Sequence, residues 1–226
     1  MQLPNRRGFT GELWAAAEPI FQEIVRHPFV TGLSDGTLDQ AAFRFYIIED
    51  AYYLTEFARA LSIAASKAPR DDWIVRLNRD AIGSLEAERA LHESYFRDFG
   101  LSEAEIQNRQ PAPTTLAYTS YLIASACSGA FSEALSAVLP CYWIYLEVGK
   151  ALAAKGSPNP LYQRWIDNYA SDEYEAEVRS ILDIMDEVAE HASALAKKKM
   201  LERYVTTSRY EWMFWDMGYR QEAWPV

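Results

Sequence analysis

The order of apolar and polar residues along the chain follows a helical repeat of three to four residues in long stretches. Few glycines and prolines interrupt these stretches, and no segment alternates β-branched and polar residues as a half-buried strand does. We therefore expect an all-α bundle, a single domain over residues 1–226. The pattern predicts about eight helices, over residues 10–26, 38–66, 72–98, 113–127, 131–154, 162–169, 172–195 and 197–219.

Several predicted helix ends carry local signals. His27, followed by Pro28, ends the first helix and is expected to cap it. Ser171 is expected to cap the helix that begins at Asp172. Ser102 and Glu105 form a capping box, which indicates a short additional turn or helix.

The charge balance excludes two classes of partner. The chain has 22 Lys and Arg against 32 Asp and Glu, a net charge of −10. Such a protein repels phosphate backbones and anionic lipid surfaces, so neither nucleic acid nor a membrane is an expected partner. Residues 111–132 carry no charge, but their Thr, Ser and Gly content favours a helix buried in a soluble core over a lipid span.

The sequence also points to the cytoplasm and away from metals. Two cysteines are too few for a disulfide scaffold, and no apolar stretch follows the N-terminal arginines, so no signal peptide is expected. Three scattered histidines, His27, His92 and His191, give neither a zinc spacing nor the Glu-x-x-His pairs of a di-iron bundle. We expect no metal.

Cys141 is the first candidate for chemistry. It follows Pro140, and a helix turn that began there would place the thiol near a helix N-terminus, where the dipole lowers its pKa. Tyr145, four residues on, would share its face. Cys127, among Ala and Ser, is better interpreted as a small buried core residue.

Two carboxylates in apolar surroundings are further candidates. Asp50 shares a helix stripe with Tyr46 and Tyr53, so it needs a donor partner or a shifted pKa. Glu211 is the only charge in a run of six residues, although Arg209 offers it an ordinary ion pair. The carboxylates, a thiol and many tyrosines together suggest an aromatic slot for a small, flat, nitrogen-rich ligand.

Longer motifs resemble the thiaminase II (TenA) family, which has a haem-oxygenase-like helical fold. They cover nearly the whole chain in the family's order, and the stretches at residues 139–149 and 208–219 are the most specific. The matching stretches are FRFYIIEDAYYLTEF (43–57), EAERALH (86–92), TTLAYTSY (114–121), LPCYWIYLEVG (139–149), YQRWIDNYA (162–170) and SRYEWMFWDMGY (208–219).

The resemblance implies a function and a set of site residues. It implies hydrolysis of 4-amino-5-aminomethyl-2-methylpyrimidine to the 5-hydroxymethyl compound and ammonia in thiamin salvage, with thiamin cleavage as a side activity and no cofactor. It gives Cys141 the nucleophile position and Glu211 the acid/base position. Asp50 would hold the amino group and nitrogen of the pyrimidine. The pocket tyrosines would be Tyr118, Tyr145 and Tyr169, with Tyr53 as an aromatic wall.

Two other classes of function remain open at this point. An oxygenase of the same fold would need a haem or a His/carboxylate iron site, and a binding or regulatory protein would keep the slot without using the thiol. The resemblance also implies a homotetramer, in line with 7 Trp in 226 residues. Neither the oligomer nor the preference among aminomethylpyrimidine, its formylated precursors and thiamin follows from the residues themselves.

Overall fold

Every regular element in the described part of the chain is a helix. The structure, a computed structural model, describes residues 7–100 and 110–226, without the side chains of residues 87–93 and 97. The capping box at Ser102 and Glu105 lies outside this range. The nine described helices are α1 (Phe9–Arg26), α2 (Pro28–Asp35), α3 (Gln40–Ser66), α4 (Asp71–Asp98), α5 (Pro113–Ser128), α6 (Phe131–Ala153), α7 (Pro160–Tyr169), α8 (Asp172–Glu190) and α9 (Ala194–Arg220).

The all-α prediction is confirmed, and one helix was missed. The eight residues of α2 begin at Pro28, which occupies the first helical turn where its missing N–H costs nothing. His27 caps this helix, since its Nδ1 accepts a hydrogen bond from the amide of Phe29 at 3.2 Å. The helix ends at Gly36, whose φ of 73° lies in the left-handed region that glycine adopts without strain.

Serine caps set the boundary between the last two helices. Ser171 caps α8 as predicted, accepting from the amide of Tyr174 at 3.2 Å. The expected end of this helix at residue 195 was wrong, because α8 ends at Glu190. The next helix already begins at Ala194, where Ser193 accepts from the amide of Ala196 at 3.2 Å.

Helix α6 is the axis of the bundle. It is buried along nearly its whole length and packs against α3, α5, α7, α8 and α9. Helix α5, by contrast, buries only one face, so the expectation of a fully buried segment was wrong for residues such as Leu116 and Cys127. None of the described helices is long and apolar enough to cross a membrane.

Candidate active site

A cavity of about 360 Å³ lies among helices α3, α4, α6, α7 and α8. Its volume is at the lower end of the range for small-molecule sites, which suits a ligand of one or two rings. Four of the residues expected at the site line it: Asp50, Cys141, Tyr145 and Tyr169. The other three, Tyr53, Tyr118 and Glu211, are buried in the packed layer beside it.

Cys141 lies in the middle of a helix and not at its start. Helix α6 begins at Phe131 and runs through Pro140, so the thiol is ten residues from the N-terminus. The expectation of dipole activation was therefore wrong, since that effect is confined to the first turn. Cys141 forms no disulfide and is partly exposed, and both Cys141 and Tyr145 line the cavity, which confirms their common face.

Contacts from α7 and α8 hold the helix around Cys141. The hydroxyl of Tyr174 donates to the main-chain oxygens of Cys141 and Tyr142, each at 3.2 Å. Farther along α6, Gly149 lies so close to the end of α7 that an added Cβ would be 2.6 Å from the carbonyl carbon of Tyr169. A residue without a side chain at this position lets Tyr169 reach the cavity.

Tyr145 and Tyr169 form the aromatic side of the cavity. Their ring centroids are 4.9 Å apart, and Trp165 packs against Tyr169 at 4.6 Å. The hydroxyl of Tyr46, in the predicted stripe with Asp50, donates to that of Tyr145 at 3.2 Å. Burial raises the pKa of Tyr145 well above its usual value, so its hydroxyl stays neutral.

Asp50 is a buried carboxylate beside this aromatic surface. Asp50 is 4% exposed, and its stripe partners Tyr46 and Tyr53 are 0% and 3% exposed. These values confirm the predicted buried stripe on α3. The negative charge of Asp50 acts on both Tyr145 and Glu211. A carboxylate at the edge of a flat apolar slot is suited to pair with an amino group and a ring nitrogen of a bound heterocycle.

Glu211 is enclosed by the core and bonded to Tyr118. The tyrosine hydroxyl donates to Oε1 of Glu211 at 2.5 Å, and both side chains are at most 1% exposed. Burial, together with the charge of Asp50, raises the pKa of Glu211 to about 8, although the hydrogen bond from Tyr118 acts in the opposite direction. Arg209, the alternative partner, is exposed and contributes no effect on this pKa.

Tyr53 lies near both the carboxyl of Glu211 and the thiol of Cys141. Its ring packs on Tyr118 with centroids 4.9 Å apart, and burial raises its pKa well above the usual value, helped by the charges of Cys141, Tyr118 and Glu211. Its hydroxyl lies near that of Tyr118 but makes no hydrogen bond of ordinary geometry to the described residues. Tyr53 therefore packs behind the cavity and does not line it.

The cavity also has a charged side that the sequence did not reveal. Asp80 accepts hydrogen bonds from the hydroxyl of Tyr142 at 3.0 Å and from Nε of Arg76 at 3.1 Å. Burial raises the pKa of Asp80, against the effect of Arg76. Arg76 and Asp80, four residues apart, resemble an ordinary surface pair in the sequence. Only the position of Tyr142 next to Cys141 hints at their place in the site.

The remaining candidates of the sequence are separated from the cavity. Cys127 is exposed at the end of α5, so its interpretation as a core residue was wrong. His191 lies at the end of α8 on the surface, and the side chain of His92 is outside the described residues. Within the described ranges, no group of three or more His, Cys, Asp and Glu is arranged to hold a metal ion.

Comparisons with known proteins show what this chain is similar to. Residues 14–221 match the TENA/THI-4/PQQC family. The chain is 40% identical over 216 residues to the aminopyrimidine aminohydrolase of Bacillus subtilis, covering 96% of this chain and 92% of that protein. A TenA homologue from P. horikoshii OT3 superposes with a TM-score of 0.88 at 29% identity, covering 95% and 99% of the two chains.

A more distant structure defines the fold class. A domain from Shewanella denitrificans, described as having a heme oxygenase-like fold, superposes with a TM-score of 0.74 at 13% identity. It covers 97% of this chain and 94% of its own. The haem-oxygenase-like architecture expected from the sequence is therefore confirmed.

Proposed function

The chain belongs to the TENA/THI-4/PQQC family, and we propose that it is an aminopyrimidine aminohydrolase of thiamin salvage, a thiaminase II-type hydrolase. The observation that carries the proposal is that the thiol of Cys141, the buried carboxylate of Asp50 and the rings of Tyr145 and Tyr169 line the same cavity. The substrate is 4-amino-5-aminomethyl-2-methylpyrimidine, and the products are the 5-hydroxymethyl pyrimidine and ammonia. Thiamin is cleaved as a side activity.

Asp50 and the tyrosines bind and polarise the ring. The carboxylate of Asp50 accepts hydrogen bonds from the amino group and shares a proton with the adjacent ring nitrogen, which makes the ring more electron-poor. Tyr145 and Tyr169 pack against its faces. Tyr53 forms the aromatic wall behind this surface, where its ring packs on Tyr118.

Cys141 and Glu211 carry the bond changes. The thiolate adds to a ring carbon, and the electron pair pushed through the ring expels the substituent on the exocyclic CH₂. Glu211, protonated at neutral pH because its pKa is raised to about 8, gives its proton to the departing nitrogen. The resulting carboxylate then takes a proton from the water that adds to the CH₂ carbon, and the thiolate leaves as the ring recovers its aromaticity.

The two alternative functions receive no comparable support. The Bacillus subtilis relative is named as a hydrolase, which favours neither an oxygenase nor a purely binding protein. An oxygenase predicts a bound chromophore or iron in the purified protein, and a binding protein predicts no turnover. The proposal predicts ammonia and 5-hydroxymethyl pyrimidine in equal amounts from the aminomethyl substrate, measured by a coupled ammonia assay and chromatography. A purified, folded protein that binds the pyrimidine but releases no ammonia would contradict it.

We further propose that the protein is cytoplasmic, that the whole chain forms one domain, and that four copies associate. Neither cysteine is in a disulfide, and a catalytic thiol needs a reducing compartment. The tryptophan count supports association less than the sequence suggested, because most of these rings are buried within one chain. Stronger support comes from large apolar side chains left exposed on α5, on α9 and in the C-terminal segment: Leu116, Met213, Tyr219 and Trp224.

A further inference from the structure

The cavity has two chemically different sides, and the proposed function uses only one of them. Asp50, Tyr145 and Tyr169 come from α3, α6 and α7 and face the proposed ring position. The opposite side comes from α4 and α8. We call it the charged wall, and it consists of Arg76, Arg79, Asp80, Glu173 and Glu177.

The charged wall is the part of the cavity into which a larger substrate must extend. Beyond Asp50 and Cys141 the other direction is closed by packed rings. The tilted rings of Tyr53 and Tyr118 have centroids 4.9 Å apart, and Tyr118 stacks on the half-buried Tyr210 at 5.1 Å. A pyrimidine seated against Asp50 therefore has its cleaved bond near Cys141. Whatever lies beyond that bond points towards α4 and α8.

The charges on this wall are unequal in number. The wall has three carboxylates, Asp80, Glu173 and Glu177, and two arginines, Arg76 and Arg79. One of the two, Arg76, is already engaged, since its Nε lies 2.9 Å from Oδ1 of Asp80 and its Nη2 donates to the main-chain oxygen of Glu177 at 3.2 Å. Glu177 is close enough to Asp80 and Glu173 for their charges to act on it. Arg79 remains to oppose Glu173 and Glu177, and all three of these residues are exposed, which leaves one negative charge in excess.

From this arrangement we infer that the charged wall selects substrates by the charge of the group beyond the cleaved bond. It accepts a positively charged group there, such as a thiazolium ring, and rejects substrates that end in a phosphate. The inference rests on the proposed function, because it takes the position of the pyrimidine from it. The acidic charge of the chain as a whole acts in the same direction.

Thiamin and thiamin monophosphate are suitable probes, since they share the pyrimidine and the thiazolium and differ only in a phosphate at the far end. Their dissociation constants are to be measured by calorimetry in a Cys141→Ser background, where neither compound is consumed. We expect the monophosphate to bind about tenfold more weakly than thiamin at low ionic strength. The ratio of the two dissociation constants, monophosphate over thiamin, should shrink as salt is added.

Variants on one helix supply the matched comparison. Glu177→Gln removes a charge from the wall and should lower the ratio about threefold, because the phosphate then meets less repulsion. Glu190→Gln removes the same charge from an exposed position at the end of α8, outside the lining, and should leave the ratio at its original value. Arg79→Gln should make thiamin itself bind more tightly.

The outcomes separate this inference from the proposed function. Equal affinities for the two compounds, tighter binding of the monophosphate, or the same ratio in Glu177→Gln as in Glu190→Gln would each overturn the selection by the charged wall. Loss of binding of both compounds would overturn it as well. Ammonia release by the unmodified protein reports on the proposed function independently, so either idea can fail while the other stands.

Discussion

The hydroxyl of Tyr118 donates a hydrogen bond of 2.5 Å to Oε1 of Glu211, joining α5 to α9 inside the core. The bond favours the ionised carboxylate, while burial favours the neutral acid more strongly, which leaves the pKa of Glu211 at about 8. An acid poised near the working pH can both give and take a proton. This pair therefore links two helices of the core and also takes part in the proposed proton transfer.

Replacing Glu211 by Gln tests the proton transfer. Glutamine keeps the volume and an acceptor for Tyr118 but has no titrating proton. We expect turnover of the aminomethyl substrate to fall by roughly 100- to 10,000-fold, the usual worth of general acid–base catalysis, with an unchanged helical circular-dichroism spectrum. Arg209→Gln is the control, since it tests the ion-pair alternative. Normal turnover in Glu211→Gln would show that this carboxyl is not the acid.

The pH dependence follows from the raised pKa of the same group. The acid form of Glu211 predominates below about pH 8 and is lost above it, so kcat/KM should decline as the pH rises through that value. Tyr118→Phe removes the bond that favours the carboxylate and should move this decline to higher pH. A shift to lower pH, or a profile that does not change, would show that Tyr118 does not tune the acid.

Gly149 is expected to be essential for the position of Tyr169. Gly149→Ala places a Cβ 2.6 Å from main-chain carbon, so α6 and α7 must separate. The resulting overpacking should cost about 1–3 kcal/mol of unfolding free energy, measured by urea denaturation, and should raise KM for the pyrimidine. Gly83→Ala on α4 is the matched helical substitution. Its Cβ meets nothing within 4 Å, so it should instead stabilise the protein by about 0.5–1 kcal/mol.

The proposed assembly is measurable by light scattering. Four associated chains should give a particle near four times the 25.8 kDa of one chain at micromolar concentration. Met213→Glu places a charge on an exposed apolar position and should weaken association if that surface is part of the interface. A single-chain particle for the unmodified protein would refute the assembly.

Local signals in the sequence predicted most of the helices, but they placed Cys141 at the start of a helix turn when it lies in the middle of α6. Proline usually ends a helix because it lacks an N–H and clashes with the preceding turn, at a cost of about 3 kcal/mol. In α6 that cost is offset by burial of nearly every residue from Phe131 to Leu152, so the helix continues through Pro140. Tertiary packing of this kind is not visible in the local sequence.

The environment of Cys127 shows a second limit. Helix α5 is rich in Ala, Ser and Thr, whose hydrophobicity differs little between its two faces. The buried face is set by Tyr118 and Leu122, and Cys127 falls on the other side. Apolar residues lie on both faces of this helix, the exposed Leu116 and the buried Leu122 among them, so the sequence gives no clear periodic signal for which side faces the core.

Long motifs carry the predicted site residues, whereas the charged wall has no motif. Asp50, Tyr145 and Glu211 stand out as polar groups in apolar runs, and all three are buried in the structure. Arg76 and Asp80 lie on a helix with many charges, where an i,i+4 pair is typical of a solvated surface. Their contact with Tyr142 depends on how α4 packs against α6, which local sequence does not specify.

The two cysteines provide the most direct test of the central claim, that Cys141 carries the covalent chemistry. Ammonia release from 4-amino-5-aminomethyl-2-methylpyrimidine is to be measured for the unmodified protein, Cys141→Ser and Cys127→Ser, with folding checked by circular dichroism. The account predicts no detectable release by Cys141→Ser, which should still bind the pyrimidine. Cys127→Ser should keep normal release, because that thiol is exposed and outside the cavity lining. Full release by Cys141→Ser, or its loss in Cys127→Ser alone, would contradict the account.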